Sequence, residues 1–297
     1  MESRSSDART ILRRAGLRPK KSFGQNFLVS EGVARAIAAA CVPDEETGRA
    51  RVVEIGAGTG ALTRLLAARA GALLAIERDR ELIPLLERDL GTGTVRIVEA
   101  DAKTVDLEVL LGEANLHSAR VLCGNLPYAL TGPLLRRAVA LAPNLERVVF
   151  MVQREVAERL LAQPGAKSWG ALTVFVRAAF DVRRVLRVAP AAFHPRPEVA
   201  SAVVELRPLR PALVRESDAF RELVRHAFAS RRKMLRNAWG ALAPDAAALE
   251  RAAAQARISL DARGETLDVA AFGRMAEALE VSSRGESRRD AEGAEEV

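Results

Sequence analysis

Three apolar runs in succession, each closing on an acidic residue, limit what this chain can fold into. The first, Arg51-Val52-Val53, enters Glu54-Ile55-Gly56-Ala57-Gly58-Thr59-Gly60 and continues as Ala61-Leu62-Thr63-Arg64-Leu65-Leu66. That reads as a strand, a glycine turn and a helix with one apolar face. Backbone can approach a ligand closely there, because glycines lack the Cβ that would block it and a helix start offers free N–H groups. The second run, Leu73-Leu74-Ala75-Ile76, closes on Glu77, and the third, Val95-Arg96-Ile97-Val98, on Glu99-Ala100-Asp101. In α/β sheets ligands bind at the carboxyl ends of strands, so all of these positions face one site. The loop reads G-x-G-x-G, with Ala61 where a dinucleotide fold places its last glycine, which argues against a pyrophosphate. Glu77 is placed to accept ribose hydroxyls and Asp101 to accept from an adenine amine. A nucleoside cofactor without pyrophosphate, S-adenosylmethionine, satisfies this set.

A fourth run, Val121-Leu122-Cys123, leads into Asn125-Leu126-Pro127-Tyr128. The N6 amine of adenine is a poor nucleophile because its lone pair is delocalised into the ring. Two oriented carbonyls draw the electrons back onto nitrogen: the Asn125 side-chain oxygen and the Leu126 backbone carbonyl can each accept one N–H. Pro127 fixes the local backbone, and Tyr128 offers a face for a base to stack on. Alone, a strand followed by Asn-x-Pro also describes an ordinary turn. Its weight comes from the glycine loop upstream.

With both motifs in one chain, the sequence resembles the ribosomal RNA adenine N6,N6-dimethyltransferases of the KsgA/RsmA type over nearly its whole length. The resemblance extends to Phe23-Gly24-Gln25-Asn26-Phe27-Leu28, Gln153-Arg154-Glu155-Val156, Phe193-His194-Pro195-Arg196-Pro197-Glu198-Val199, Ser201-Ala202-Val203-Val204 and Arg231-Arg232-Lys233-Met234-Leu235-Arg236-Asn237. It implies an α/β, Rossmann-like class I S-adenosylmethionine-dependent methyltransferase fold with a small C-terminal α-helical domain. It also implies dimethylation of two adjacent adenosines in a hairpin loop near the 3′ end of 16S rRNA, in the immature small ribosomal subunit. By the same resemblance Asn26 and Leu28 join Gly56, Gly58, Glu77, Asp101 and Asn125 in binding the cofactor. Phe193 becomes the second aromatic wall of the base pocket, completing a catalytic set of Asn125, Leu126, Pro127, Tyr128 and Phe193. Two departures bear on pocket shape: Ala129 stands where the family often has Asn, and Ala57 and Thr59 stand where proline and leucine are common.

Charge points to the substrate. Net charge is +7, and Arg9, Arg13, Arg14, Arg18, Lys20 and Lys21 follow one another with no intervening acid. Such a run attracts phosphates, as does the cluster Arg231, Arg232, Lys233 and Arg236. Arg13, Arg14, Lys20, Lys21 and that cluster are the expected RNA-binding residues. Two cysteines and three histidines show no ligand spacing, so no metal is expected. With no apolar run approaching the roughly 18 residues of a membrane span and no visible signal peptide, the expectation is a cytosolic monomer.

Organisation follows from these anchors. Residues 1–30 form a basic arm and cofactor lid, 31–208 the methyltransferase domain, 209–281 a helical docking domain, and 282–297 a disordered tail without apolar periodicity. Three other activities share parts of this pattern. A macrolide-resistance 23S rRNA adenine N6-methyltransferase has similar cofactor and amine motifs, but the Arg231 to Asn237 segment resembles the small-subunit branch. A DNA adenine methyltransferase usually has Pro-Pro after the first motif residue, where this chain has Leu126. A non-catalytic rRNA-binding assembly factor would not need the intact set Glu54, Gly56, Glu77, Asp101 and Asn125.

Overall fold

Val52, Val53 and Ile55 lie in a strand buried at every position, as expected where both faces of a sheet are covered. The computed structural model describes residues 7–91, 93–112 and 120–294, the last thirteen as backbone only. Its strands are β1 (Phe27–Leu28), β2 (Arg51–Ile55), β3 (Ala72–Glu77), β4 (Val95–Glu99), β5 (Arg120–Asn125), β6 (Arg147–Gln153), β7 (Phe180–Val188), β8 (Phe193–His194) and β9 (Ser201–Pro208). Seven of them form one sheet in the order β4-β3-β2-β5-β6-β9-β7. The pairs β4-β3, β3-β2, β2-β5 and β5-β6 are parallel and β6-β9 is antiparallel. The order turns back on itself between β2 and β5, so a crevice opens at their carboxyl ends. Gly56 follows one of those ends, and Asn125 forms the other.

The chain divides into two compact units. The first holds 1–157 and Asp181–Pro208; the second holds Glu158–Phe180 and 209–297. In the first, the helix Glu31–Cys41 begins at Ser30, whose hydroxyl caps the Val33 N–H. Its buried face, Ala34, Ile37, Ala38 and Cys41, joins Val52, Leu73, Val121 and Val149 in one core. The two-residue strands β1 and β8 pair antiparallel, with Leu28 opposite Phe193 and Phe27 opposite His194.

In the second unit, Phe220, Leu223, Val224 and Ala227 line one face of the helix Asp218–Ala229, at the spacing that aligns residues along a helix. They pack with Trp239, Phe272 and Met275. The Trp239 indole N–H donates to the Leu223 carbonyl at 2.9 Å.

Two boundaries differ from the sequence reading. Residues 158–180, read as part of the 31–208 domain, belong to the helical unit. Trp169, Val174 and Phe175 are buried in its core, and Phe175 meets Phe220 edge-on at 5.9 Å between ring centroids. Strand-helix alternation marks the helix Ala171–Ala179 as apolar without saying which core receives it. At the far end the helix Val269–Ala294 runs through most of the stretch read as a disordered tail. Positions 295–297 lie outside the described residues.

Candidate active site

Gly56, Gly58 and Gly60 all have left-handed backbone, with φ of 77°, 58° and 78°. A Cβ on Gly58 would lie 3.1 Å from the Phe27 ring and one on Gly60 would lie 2.7 Å from Leu90 Cδ1. Only glycine takes this path without strain. The turn is held from the next strand: Glu77 Oε2 accepts from the Gly58 N–H at 2.7 Å. Glu77 Oε1 accepts from the N–H groups of Arg78 at 2.9 Å and Asp79 at 2.8 Å. Burial raises the Glu77 pKa above its usual value, and these backbone donors oppose the rise. Oε2 keeps a free lone pair for a ligand hydroxyl; Oε1 has its two donors already.

The glycine loop, Glu77, Asp101, the Asn125 to Leu130 segment and Phe193 all line one cavity of about 430 Å³. Lys21 to Leu28, with Asn26 and Leu28 among them, line it too. Asp101 is partly engaged, accepting from the Lys103 N–H at 2.9 Å and pairing with Arg78 at 3.3 Å. The Asn125 side chain donates through Nδ2 to the Asn26 carbonyl at 2.9 Å. That bond fixes which way the amide points and leaves Oδ1 as an acceptor. Leu126 donates its N–H to the Met151 carbonyl at 3.2 Å, while no donor within the described protein meets its own carbonyl. Two carbonyl oxygens next to one another in sequence are therefore available beside the walls formed by Tyr128 and Phe193.

Four further residues shape the cavity. Gly124 lets β5 approach β2, since a Cβ there would sit 2.3 Å from the Ile55 carbonyl oxygen. Asp79 and Gln25 bond to each other at 2.8 Å. Glu54 lines the cavity yet is only 1% exposed, and its Oε2 has no hydrogen-bond partner. Burial pushes its pKa up to about 7. The sequence signals Glu54 as the acid at the head of the glycine motif and Gln25 as part of the Phe23 to Leu28 motif; no local pattern signals Gly124 or Asp79.

Glu54 makes the protein's stability pH-dependent in a calculable direction. The native carboxyl keeps its proton to about 7, whereas an unfolded glutamate releases it near 4.5. The native state thus binds more protons across that window and loses stability as pH rises through it. Glu54→Gln, which cannot ionise, is expected to unfold like the parent below about pH 4 and to be more stable at about pH 8, by up to about 3 kcal/mol. Thermal unfolding at both values checks this; parallel shifts of the two proteins would contradict it.

The expected RNA-binding cations separate into two groups. Arg13, Arg14 and Lys21 are exposed. Lys20 is already paired, with Asp79 at 2.6 Å and with Glu81. In the helical unit Arg231 binds Glu265 and the Lys167 carbonyl, each at 2.8 Å, and Arg236 binds Glu250 at 2.7 Å and Asp261 at 3.5 Å. In all three cases the neutralising acids lie far along the chain. Arg232 and Lys233 are exposed and have no side-chain partner among the described residues. Among those residues, too, no three His, Cys, Asp or Glu side chains converge as a metal site, and no helix is long and apolar enough to cross a membrane.

A family model described as ribosomal RNA adenine dimethylase matches residues 16–280. The chain belongs to the ribosomal RNA adenine dimethylase family. Among curated members, it is 43% identical to the ribosomal RNA small subunit methyltransferase A of Moorella thermoacetica, over 94% of this chain and 100% of that protein. It is also 43% identical to the protein of the same name from Anaeromyxobacter, over 88% of this chain and 94% of that one. Among solved structures, a dimethyladenosine transferase from Plasmodium falciparum superposes with a TM-score of 0.71 at 25% identity, covering 84% of this chain and 95% of that one. The 23S rRNA methyltransferase ErmE superposes at 0.64 with 26% identity, covering 86% and 100%. This dimethylase is thus an α/β methyltransferase with a helical C-terminal region, as the sequence predicts.

Proposed function

We propose that the chain uses S-adenosylmethionine to dimethylate N6 of two adjacent adenosines in a hairpin loop near the 3′ end of 16S rRNA, acting on the immature small subunit. The orientation of Asn125 carries this reading: an amide pinned by Asn26 presents Oδ1 beside the Leu126 carbonyl, two acceptors for the two hydrogens of an exocyclic amine. The curated relatives named for the small subunit, at 43% identity, favour this substrate over the large-subunit RNA of ErmE, at 26%.

The residues present suit the cofactor. The buried, unpartnered Oε2 of Glu54 is an acceptor awaiting a donor-bearing or cationic group. Gly56 and Gly58 would leave room for the methionine portion, Glu77 Oε2 would accept a ribose hydroxyl, Asp101 would accept from the adenine amine, and Asn26 and Leu28 would close the wall. When bound, S-adenosylmethionine supplies an electrophilic methyl group on a sulfonium. A flipped adenosine stacks between Tyr128 and Phe193 while Pro127 holds the turn between its two acceptors. Transfer would break the methyl C–S bond, its electron pair staying on sulfur to leave a neutral thioether, as the C–N bond forms and positive charge builds on N6. Asn125 Oδ1 and the Leu126 carbonyl stabilise that charge and hold the in-line geometry, and the proton leaves to water. For the second methyl only one N–H remains to be held. The singly methylated amine turns within the same acceptors, and Ala129 offers little bulk against it.

Labelled cofactor incubated with immature small subunits, naked ribosomal RNA and DNA tests the reading. Dimethyladenosine is expected in the small-subunit particles. Label confined to 23S rRNA or to DNA would replace it.

Arg13, Arg14 and Lys21, with Arg232 and Lys233, are the proposed phosphate contacts. Changing Arg232 and Lys233 together to Ala is expected to weaken particle binding and to flatten its log–log salt slope by about 0.9 per lost contact, up to about 1.8. Methylation of a short saturating RNA should persist, because phosphate contacts position the substrate without doing the chemistry. An unchanged salt slope in filter binding would transfer docking to Arg13 and Arg14.

A further inference from the structure

We infer that Asp79 is a positioning residue for the proposed methyl transfer, latching the segment Lys20–Leu28 in place as a wall of the cofactor cavity. Asp79 is 3% exposed, and its carboxylate reaches back to that segment with both oxygens. Oδ1 accepts from Lys20 Nζ at 2.6 Å and Oδ2 from Gln25 Nε2 at 2.8 Å. Gln25 closes the loop on itself, its Oε1 accepting from the Lys20 N–H at 2.7 Å. The Asp79 backbone works in the other direction, donating its N–H to Glu77 Oε1. One residue thus joins the proposed ribose acid to the segment that lines the same cavity.

Arg78, between them, adds a second clamp. Its guanidinium lies 4.9 Å from the centre of the Phe23 ring, which Lys20 Nζ also approaches at 5.6 Å, and its Nη1 pairs with Asp101. Glu77, Arg78 and Asp79 therefore hold the cavity's acids and its removable wall in one register. Beyond the latch the segment is fastened by the Asn125 bond to Asn26 and by the β1–β8 pairing. Without Asp79, Lys20 keeps only Glu81, which is half exposed, and Gln25 loses its buried acceptor.

A simpler role for Asp79 is local: Oδ1 also accepts from the Glu81 N–H at 3.2 Å, supporting the turn before the helix Ile83–Leu90. The two roles differ in what they move. Support of the turn affects stability throughout the unit; a latch affects residues 20–28 and the ligand they cover.

Hydrogen exchange of the cofactor-free protein separates them and needs neither cofactor nor RNA, so its outcome stands even if the proposed reaction is wrong. Asp79→Asn, and on the segment side Gln25→Leu and Lys20→Met, are expected to speed exchange of 20–28 by about tenfold, leaving β2 and β3 protected. The segment-side changes guard against a misfolded Asp79 variant. In steady-state assays the KM for S-adenosylmethionine should rise about tenfold in each variant with kcat within about twofold. Asp79→Asn combined with Lys20→Met should add little to either alone, since both remove one interaction. Lys20→Arg should restore most of the affinity. Unchanged exchange at 20–28 in the segment-side variants, or acceleration spread evenly over the unit, would overturn the latch.

Discussion

Asn125→Ala is expected to lower methyl transfer by about 10²-fold or more, the usual cost of removing one oriented polar contact made as charge develops. The side chain has two partners to lose. Its Oδ1 is the proposed acceptor for an N6 hydrogen, and its Nδ2 holds the Asn26 carbonyl at 2.9 Å. The first loss falls on turnover; the second loosens a cavity wall still held by β1 and the bonds of Gln25, so cofactor affinity should fall only severalfold. Asn125→Asp should not rescue the enzyme. It keeps an acceptor but turns a carboxylate oxygen toward the Asn26 carbonyl, where a donor is needed. Single-turnover measurement with saturating labelled cofactor and RNA separates the effects. Turnover near that of the parent in the Ala variant would remove Asn125 from the chemistry.

The contrast between Asn125 and Asp79 shows what the sequence carries. Asn125, Glu77 and Asp101 each end an apolar run, and the class of fold dictates that strand ends of one sheet share a crevice. Their convergence on one cavity is therefore legible from local pattern alone. Asp79 sits two residues past such an end, where nothing distinguishes it from a solvated acid; its partners Lys20 and Gln25 lie 59 and 54 residues earlier. The same blindness hides the partners of Lys20. In sequence it belongs to a basic run with no acid in it, and in the folded chain two acids flank it. Arg231 and Arg236 repeat the pattern, their acids being supplied by other helices and loops of the second unit. Charge clusters forecast a field at long range, but only pairing decides which members remain for phosphate. Burial is hidden for a related reason. Glu54 looks like any acid before a glycine loop until β3 and β5 close around β2 and remove its water. The placement of 158–180 fails differently, because periodicity reports that a helix has an apolar face without naming the core that takes it.

Glu77→Ala should produce the largest loss of cofactor affinity, about 1.5 to 3 kcal/mol or roughly 10- to 150-fold. A ribose hydroxyl loses a charge-assisted acceptor at Oε2. The turn loses its anchor as well, since the Gly58, Arg78 and Asp79 N–H groups all point at this carboxylate. Glu77→Gln is not a mild substitute. One end of the amide must carry hydrogens, and both oxygens of Glu77 already accept from backbone donors, so either orientation sets an NH₂ against an N–H. The Gln variant should therefore lose nearly as much affinity as Ala, whereas an interaction with ribose alone would tolerate Gln, which still offers an acceptor and can donate to a hydroxyl oxygen. Titration calorimetry with S-adenosylmethionine decides between the two accounts. Ala and Gln losing alike assigns the carboxylate to both the turn and the ligand, Gln near the parent would assign it to the ligand alone, and binding within about twofold in Ala would dismiss Glu77 as the ribose acceptor.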